Sequence, residues 1–532
     1  MALRPVDCRC GAFLTAKISW LMKRFVRLCS AIYMLGLLVA CEDSKAKPEG
    51  VYYEIFVRSF ADSNGDGIGD LNGITDKLDY LDSLGISGIW LTPVMPSPSY
   101  HKYDVVDYLN IDPEYGTLDD FKVLVQEAHR RNMKVILDLV LNHTSNLHPW
   151  FKQATALNNG PYRHFYVWAK RDSVQNQIAK KKITFDSDNI TQWHKNQSDT
   201  LSEYYYGFFW GGMPDLNMDH LAVRKEISAI GKFWLEDVGV DGFRLDAARH
   251  VYPSDQPESN HKFWKWFRKE MQQYKPDVYL VGEVWAQAPE VAPYLPGLPS
   301  LFNFDLAYAI SNVVKQQQDT MHFIDSYLSI QKFYAAHSSE YVDAVFLRNH
   351  DQNRILTELD GDQNKLRTAV SILMTLPGIP YLYYGEEIGM YGKKPDEHIR
   401  EPFLWASSQK DNFRTRWIEP IYNTDSTVSP LRAQIKDQQS VFNFYRSWIS
   451  YRNASKVLTS GALEPTTFQQ SGLISFYRVF EDRRNLVLHN ISASDISILV
   501  NAGNVDFATN PSVQLSEGKL YLPKGASAVL GD

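Results

Sequence analysis

Cysteine is nearly absent from this chain. Cys8, Cys10, Cys29 and Cys41 all lie at the front, so nothing after Cys41 can form an intrachain disulfide or a thiolate metal site. An excess of positive charge is missing too. The net charge is −7 and no sizeable basic cluster follows Lys47, which excludes nucleic acid as a partner. No internal repeat and no low-complexity tract is found, which argues against a repeat array or a disordered chain. The apolar stretch at 31–40, "AIYMLGLLVA", is too short to hold a bilayer as a stable span. What is plentiful is aromatic: 13% of the residues, with 30 Tyr and 13 Trp, which either fill a bulky core or line a ligand cleft on which sugar rings stack. Hydrophobic (44%) and charged (22%) fractions are those of a globular protein, and 532 residues call for one large domain plus smaller ones.

The front reads as a targeting segment over 1–40. Lys23, Arg24 and Arg27 after Met22 form its basic start, which makes 1–21 a start-site artefact. The apolar run ends "LLVAC" and resembles a bacterial lipoprotein lipobox, which implies lipidation of Cys41 and a protein held to the outer membrane, on its periplasmic or surface face. Residues 41–49 read as a tether.

From Gly50 onward short apolar runs alternate with amphipathic stretches. "VYYEIFV", "ISGIWLTPV", "MKVILDLVLNH", "VDGFRLD", "DVYLVGEVW", "SLFNFDL", "VDAVFLRNHD" and "GIPYLYYGEE" read as strands. "LDDFKVLVQEAHRRN", "VRKEISAIGKFWLEDVG" and "HKFWKWFRKEMQQY" read as helices, the first with Phe121, Leu124, Val125 and Ala128 on one face. Repeated β-then-α units predict a (β/α)₈ barrel over 50–143 and 213–455. The polar, aperiodic interval 144–212 is expected to be an insertion subdomain after the third strand. Short strands over 456–532 predict a C-terminal antiparallel β-sandwich domain.

Reactive residues of such a barrel stand at the C-terminal ends of its strands. Those ends carry Asp138, Asn142 and His143; Arg244 and Asp246; Glu283; and His350 with Asp351. Clustered carboxylates repel one another and are kept mainly for function. Three carboxylates beside an arginine suit glycosidic bond cleavage, one attacking the anomeric carbon while a second donates a proton to the leaving oxygen. Arg244 is expected to keep Asp246 ionised.

The ordered set "DLVLNH", "GFRLDAARH", "GEVW" and "RNHDQNR" resembles the four signature regions of the α-amylase family of retaining glycoside hydrolases, and the likeness runs from about Gly50 to Asp532. The resemblance implies Asp246 as nucleophile, Glu283 as general acid/base and Asp351 as a third carboxylate gripping sugar hydroxyls. It places His143 and His350 on the same sugar, Tyr103 stacked on it with His101 nearby, and Arg249 and His250 on the leaving side. "DSNGDGIGD" resembles a calcium loop of part of that family, with ligands Asp62, Asn64, Asp66, Asp70 and the Ile68 carbonyl. A second calcium site is implied at Asn142, Asp215 and the His250 carbonyl.

Exo-acting relatives carry an Asp three residues before the stacking Tyr, where this chain has Tyr100. Together with "DAARH" this implies endo-acting hydrolysis of α-1,4 bonds in starch-like glucans. A neopullulanase or cyclomaltodextrinase, an α-glucosidase and a transglycosylase of the same family are the alternatives. A non-enzymatic glycan-binding homologue would lack one of the three carboxylates, all of which are present. The implied partners are α-glucan, the membrane through the lipid anchor, and glycan-uptake proteins.

Overall fold

Val51–Ile55 is buried along its whole length, and alternate side chains serve two different cores. Tyr52 joins an inner cluster with Trp90, Ile136, Val281, Phe302 and Tyr381. Val51, Tyr53 and Ile55 join the main outer core. A strand that is apolar on both faces belongs in a parallel sheet covered on both sides. Eight strands of this kind occur in the computed structural model, which describes residues 49–157, 159–180, 192–195, 203–468 and 470–531. They are β1 (Val51–Ile55), β2 (Ile86–Leu91), β3 (Lys134–Leu139), β4 (Gly242–Leu245), β5 (Tyr279–Gly282), β6 (Ser300–Phe302), β7 (Val342–Phe346) and β8 (Ile379–Tyr383). Each pairs in parallel with the next, and β8 closes on β1, giving a (β/α)₈ barrel.

Register sets the height of each inward side chain. Asp138 on β3 lies level with Arg244 on β4, which lies level with Val281 on β5. An acid and a base therefore meet inside the barrel, one layer below its rim. The expected strands are longer than those observed. "MKVILDLVLNH" stops pairing at Leu139, and "VGEVW" at Gly282. Beyond those points the chain turns outward, so Asn142, His143 and Glu283 stand past the strand ends.

The helices pack as their spacing dictates. α1 (Leu118–Arg130) starts at a Thr117–Asp120 capping box and buries Phe121, Leu124, Val125 and Ala128. α2 (Leu221–Lys232) passes into a wider π-helical stretch, Phe233–Val238, which ends at Gly239 with φ +92°. The spacing of "VRKEISAIGKFWLEDVG" predicts one uniform helix, which the structure divides at Phe233. α3 (Pro257–Tyr274) begins four residues before the expected stretch, at a proline that suits the first helical position.

The interval 144–212 holds a three-stranded antiparallel sheet, with Glu203–Tyr206 between Trp168–Lys170 and Trp193–Lys195. It also holds helices Pro149–Ala156 and Arg171–Lys180. The second is mostly polar, so its period was hard to read. Bridges His143↔Asp215 and Tyr166↔Leu216 tie this region to the barrel rim. After helix Val441–Ala454 come a five-stranded and a three-stranded antiparallel sheet, with Leu473, Leu486, Leu488, Leu520, Leu522 and Leu530 in their shared core. The targeting segment, the lipobox and Cys41 lie outside the described residues.

Candidate active site

Arg244 is the centre of the inner layer, and its side chain is wholly buried. Its Nη1 donates to both oxygens of Asp138 (2.9 and 3.1 Å) and to Oδ1 of Asp246 (2.5 Å). Its Nη2 lies 2.9 Å from Oε2 of Glu283. One planar guanidinium thus holds a carboxylate on β3 and two that stand just past the ends of β4 and β5. Ala247 follows Asp246 with φ +46°, a left-handed turn for a residue with a Cβ, and its N–H donates to Glu283 Oε2 at 3.1 Å. Asp138 also accepts from Trp90 Nε1 (3.2 Å) and from the Tyr103 hydroxyl (3.0 Å).

Asp246 was expected to be held ionised by Arg244. In the structure burial is the larger influence and carries the Asp246 carboxyl above its usual value; Arg244 opposes this and Glu283 adds to it. Burial likewise pushes Asp138 up, against Arg244. The single cation is shared among three acids, which limits its hold on any one.

A second group surrounds Asp351. His350 Nε2 lies 3.1 Å from Oδ2, and Arg400 Nη2 donates to Oδ1 at 2.8 Å. Burial works against its charge, yet the His350 and Arg400 cations hold Asp351 well below the usual carboxylate range. Tyr103 stacks on His350, with centroids 5.5 Å apart and planes at 9°. His143 Nε2 reaches the Tyr103 carbonyl at 3.2 Å, and burial lowers its pKa. Burial lowers that of His101 too, whose Nδ1 accepts from the Tyr103 N–H at 3.1 Å.

These residues open into one cleft of about 560 Å³, lined by His101, Tyr103, His143, Asp246, Glu283 and Asp351. Side chains of Asp246, Glu283 and Asp351 are 11%, 13% and 30% exposed, whereas Arg244 and Asp138 are at 0%. The three acids face the cleft; the other two support them from beneath. Arg249 and His250 line the same cleft. Arg249 pairs with Glu290 at 2.8 Å, and His250 stacks on Phe208 at 4.0 Å. A larger depression of about 1130 Å³ between barrel helices and the C-terminal strands is lined by a single acid, Asp82, and lacks this chemistry.

Comparison with known proteins agrees with that geometry. The family model "Alpha amylase, catalytic domain" matches residues 54–461. The chain belongs to the alpha-amylase family of glycoside hydrolases. It is 45% identical to "Alpha-amylase 3" of Dictyoglomus thermophilum over 83% of this chain and 84% of that protein. It is 34% identical to a "4-alpha-glucanotransferase" of Thermotoga maritima, over 84% and 96%. The solved alpha-amylase from H. orenii superposes with a TM-score of 0.83 at 42% identity, covering 92% of this chain and all of that one (100%).

Several residues of this alpha-amylase-family cleft were not singled out from sequence. Arg400, in the loop after β8, donates to Asp351, to the His350 carbonyl (2.9 Å) and to the Tyr100 hydroxyl (3.0 Å). Trp285 is stacked on Phe304 at 4.6 Å, with its indole 40% exposed; Trp210, from the insertion, is 55% exposed. Both line the cleft. Glu54 sits on β1 against His350. A glutamate inside the wholly buried "VYYEI" was the available signal for it.

The implied calcium ligands are arranged differently in the two places. In the 62–70 loop each carboxylate is turned onto N–H groups: Asp62 accepts from Gly65 (2.6 Å) and Gly67 (2.8 Å), Asp66 from Ile68 (2.8 Å), and Asp70 from Ser63 (2.8 Å) and Gly73 (2.7 Å). Among the described residues no three His, Cys, Asp or Glu side chains gather as a metal cluster. The donors are hard oxygens, the chemistry calcium takes; Oδ1 of Asp62 and of Asp70 each accept from two donors, while Asp62 Oδ2, Asp66 Oδ1 and Asp70 Oδ2 accept one N–H each and keep a lone pair. At the second place Asn142 Oδ1 is buried without a partner, and burial pushes the Asp215 carboxyl up to about 8. An orphaned amide oxygen beside a buried acid fits a cation.

Proposed function

We propose that the protein is an endo-acting retaining hydrolase of α-1,4 bonds in starch-like glucans. The Asp246 carboxylate attacks the anomeric carbon, and the bond to the leaving sugar breaks as Glu283 gives that oxygen its proton. Glu283 then takes a proton from water, whose oxygen bonds to the anomeric carbon and releases Asp246. Both Arg244 Nη2 and the Ala247 N–H reach Glu283 Oε2, so Oε1 is the oxygen left to carry the proton. Asp351, kept ionised between His350 and Arg400, accepts hydrogen bonds from sugar hydroxyls. Tyr103 offers its ring to the same sugar.

The observation that carries the endo reading is the pair of half-exposed indoles, Trp210 and Trp285, at the cleft on two different loops. Such platforms suit a chain that continues beyond the cleaved bond. Tyr100 adds to this. Its hydroxyl is held by Arg400 and its ring stacks on Trp417 at 5.1 Å, so no carboxylate caps a chain end at that position. Product profiling on amylose, pullulan and cyclodextrin tests the reading. Early mid-chain cutting of amylose, with α-anomeric products by NMR, is expected. Release of glucose from chain ends alone, or transfer products that outweigh hydrolysis, would favour an α-glucosidase or a glucanotransferase instead.

The loop 62–70 (Asp62, Asn64, Asp66, the Ile68 carbonyl and Asp70) is proposed to hold one calcium, and Asn142, Asp215 and the His250 carbonyl a second. Such an ion would supply rigidity to the rim loops. Lipidation at Cys41, with outer-membrane anchoring beside glycan-uptake proteins, remains part of the proposal and rests on the sequence.

A further inference from the structure

Behind the cleft, His350 stands between two carboxylates and a phenol. Nδ1 lies 2.5 Å from Glu54 Oε1. Nε2 lies 2.6 Å from the Tyr103 hydroxyl and 3.1 Å from Asp351 Oδ2. The Tyr103 hydroxyl also lies 3.0 Å from Asp138 Oδ2. Asp351, paired with Arg400 at 2.8 Å, is an acceptor. Nε2 faces that carboxylate oxygen and Nδ1 faces that of Glu54, so each ring nitrogen carries hydrogen. A neutral imidazole has a single N–H and leaves one of these contacts without a proton.

We propose that Glu54 is a positioning residue for hydrolysis, fixing His350 as a double N–H donor that bridges from β1 to Asp351 and Tyr103. Glu54 and His350 are 2% and 0% exposed, so water cannot replace either partner. The strand places Glu54 there: two residues after inward-facing Tyr52, it points into the barrel one layer nearer the rim. The groups facing His350 from every side are Glu54 on β1, Trp90 on β2 (edge-on at 5.6 Å), Asp138 on β3 through Tyr103, Asp351 on its own turn, and Arg400, which donates to the His350 carbonyl. Burial works to lower the His350 pKa, but Asp351 and Glu54 together push it up to about 10. A His with a raised pKa keeps its charge below that value and loses it as pH rises through it. Without the Glu54 charge, Asp351 and the more distant Asp138 are left to oppose burial, and the loss comes earlier.

Glu54→Gln tests this, since the amide keeps the size and removes the charge. Histidine side-chain ¹⁵N NMR, with His350→Asn locating the signal, is expected to show both His350 nitrogens protonated at pH 8.5 in the wild type and the ring neutral in Glu54→Gln. The alkaline limb of kcat/KM is expected to move down by about two and a half pH units, a loss of about thirtyfold at pH 9 relative to pH 6. In a His350→Asn background Glu54→Gln should leave that limb where it is, which a purely structural role would not explain. A neutral His350 in the wild type at pH 8, or an unmoved limb in a folded Glu54→Gln enzyme, overturns the proposal. If Glu54→Gln does not fold, the wild-type spectrum alone decides. Only the kinetic arm rests on the proposed hydrolysis; the NMR arm needs no substrate, so failure of one reading is distinguishable from failure of the other.

Discussion

Replacing Arg244 by Met takes the one cation from beneath Asp138, Asp246 and Glu283 and leaves the volume nearly filled. Four contacts of 2.5 to 3.1 Å disappear from a wholly buried position. Removing one partner of a buried charge network leaves uncompensated charge and costs about 3–5 kcal/mol. The loss should depend on pH with a definite sign. Burial already raises Asp138 and Asp246, with Arg244 opposing, so Arg244→Met raises both further. A carboxyl whose folded pKa lies above its unfolded value of about 3.9 contributes fully below that value. Its contribution is then lost as pH rises through the folded pKa. Raising the folded pKa extends that window upward, so the variant's deficit should be larger at pH 8 than at pH 5. For each extra proton bound the growth is about 1.4 kcal/mol per pH unit within the window. Urea unfolding of both proteins at the two pH values measures it. Arg244→Met/Asp138→Asn removes one stranded acid and should recover part of the loss. A deficit under about 1 kcal/mol at pH 8, or one that is equal at both pH values, would refute the shared-cation account.

Asp246→Asn should lower kcat more than about a thousandfold while glucan binding persists, by calorimetry; substantial turnover removes Asp246 as nucleophile. Chelation with EDTA should lower the melting temperature, and added calcium should restore it; no change counts against both proposed sites. Cys41→Ala should move the protein from the membrane fraction to the soluble fraction on cell fractionation, and continued membrane association would defeat the lipobox reading.

The barrel was legible because its strands are apolar on both faces and alternate with amphipathic helices. Asp246, Glu283 and Asp351 were legible because strand ends of such a barrel share one rim. What sequence hid was partnership across the barrel. Asp138 was noted at a strand end, but only register brings it level with Arg244 and divides that cation three ways. Arg400 lies in a loop with no period, 49 residues from the acid it holds. The helix Arg171–Lys180 went unread because a polar stretch with one buried apolar residue among those described, Val174, leaves little periodic signal.

Closure of β1 against β8 has a temporal consequence. Glu54 stands on the first strand, Asp351 after the seventh, and Arg400 beyond the eighth. A ribosome that has released only the first three hundred residues has therefore made most of a barrel and none of an enzyme. Competence would arrive late and all at once, when the final strand docks, and until that moment the nascent chain is inert.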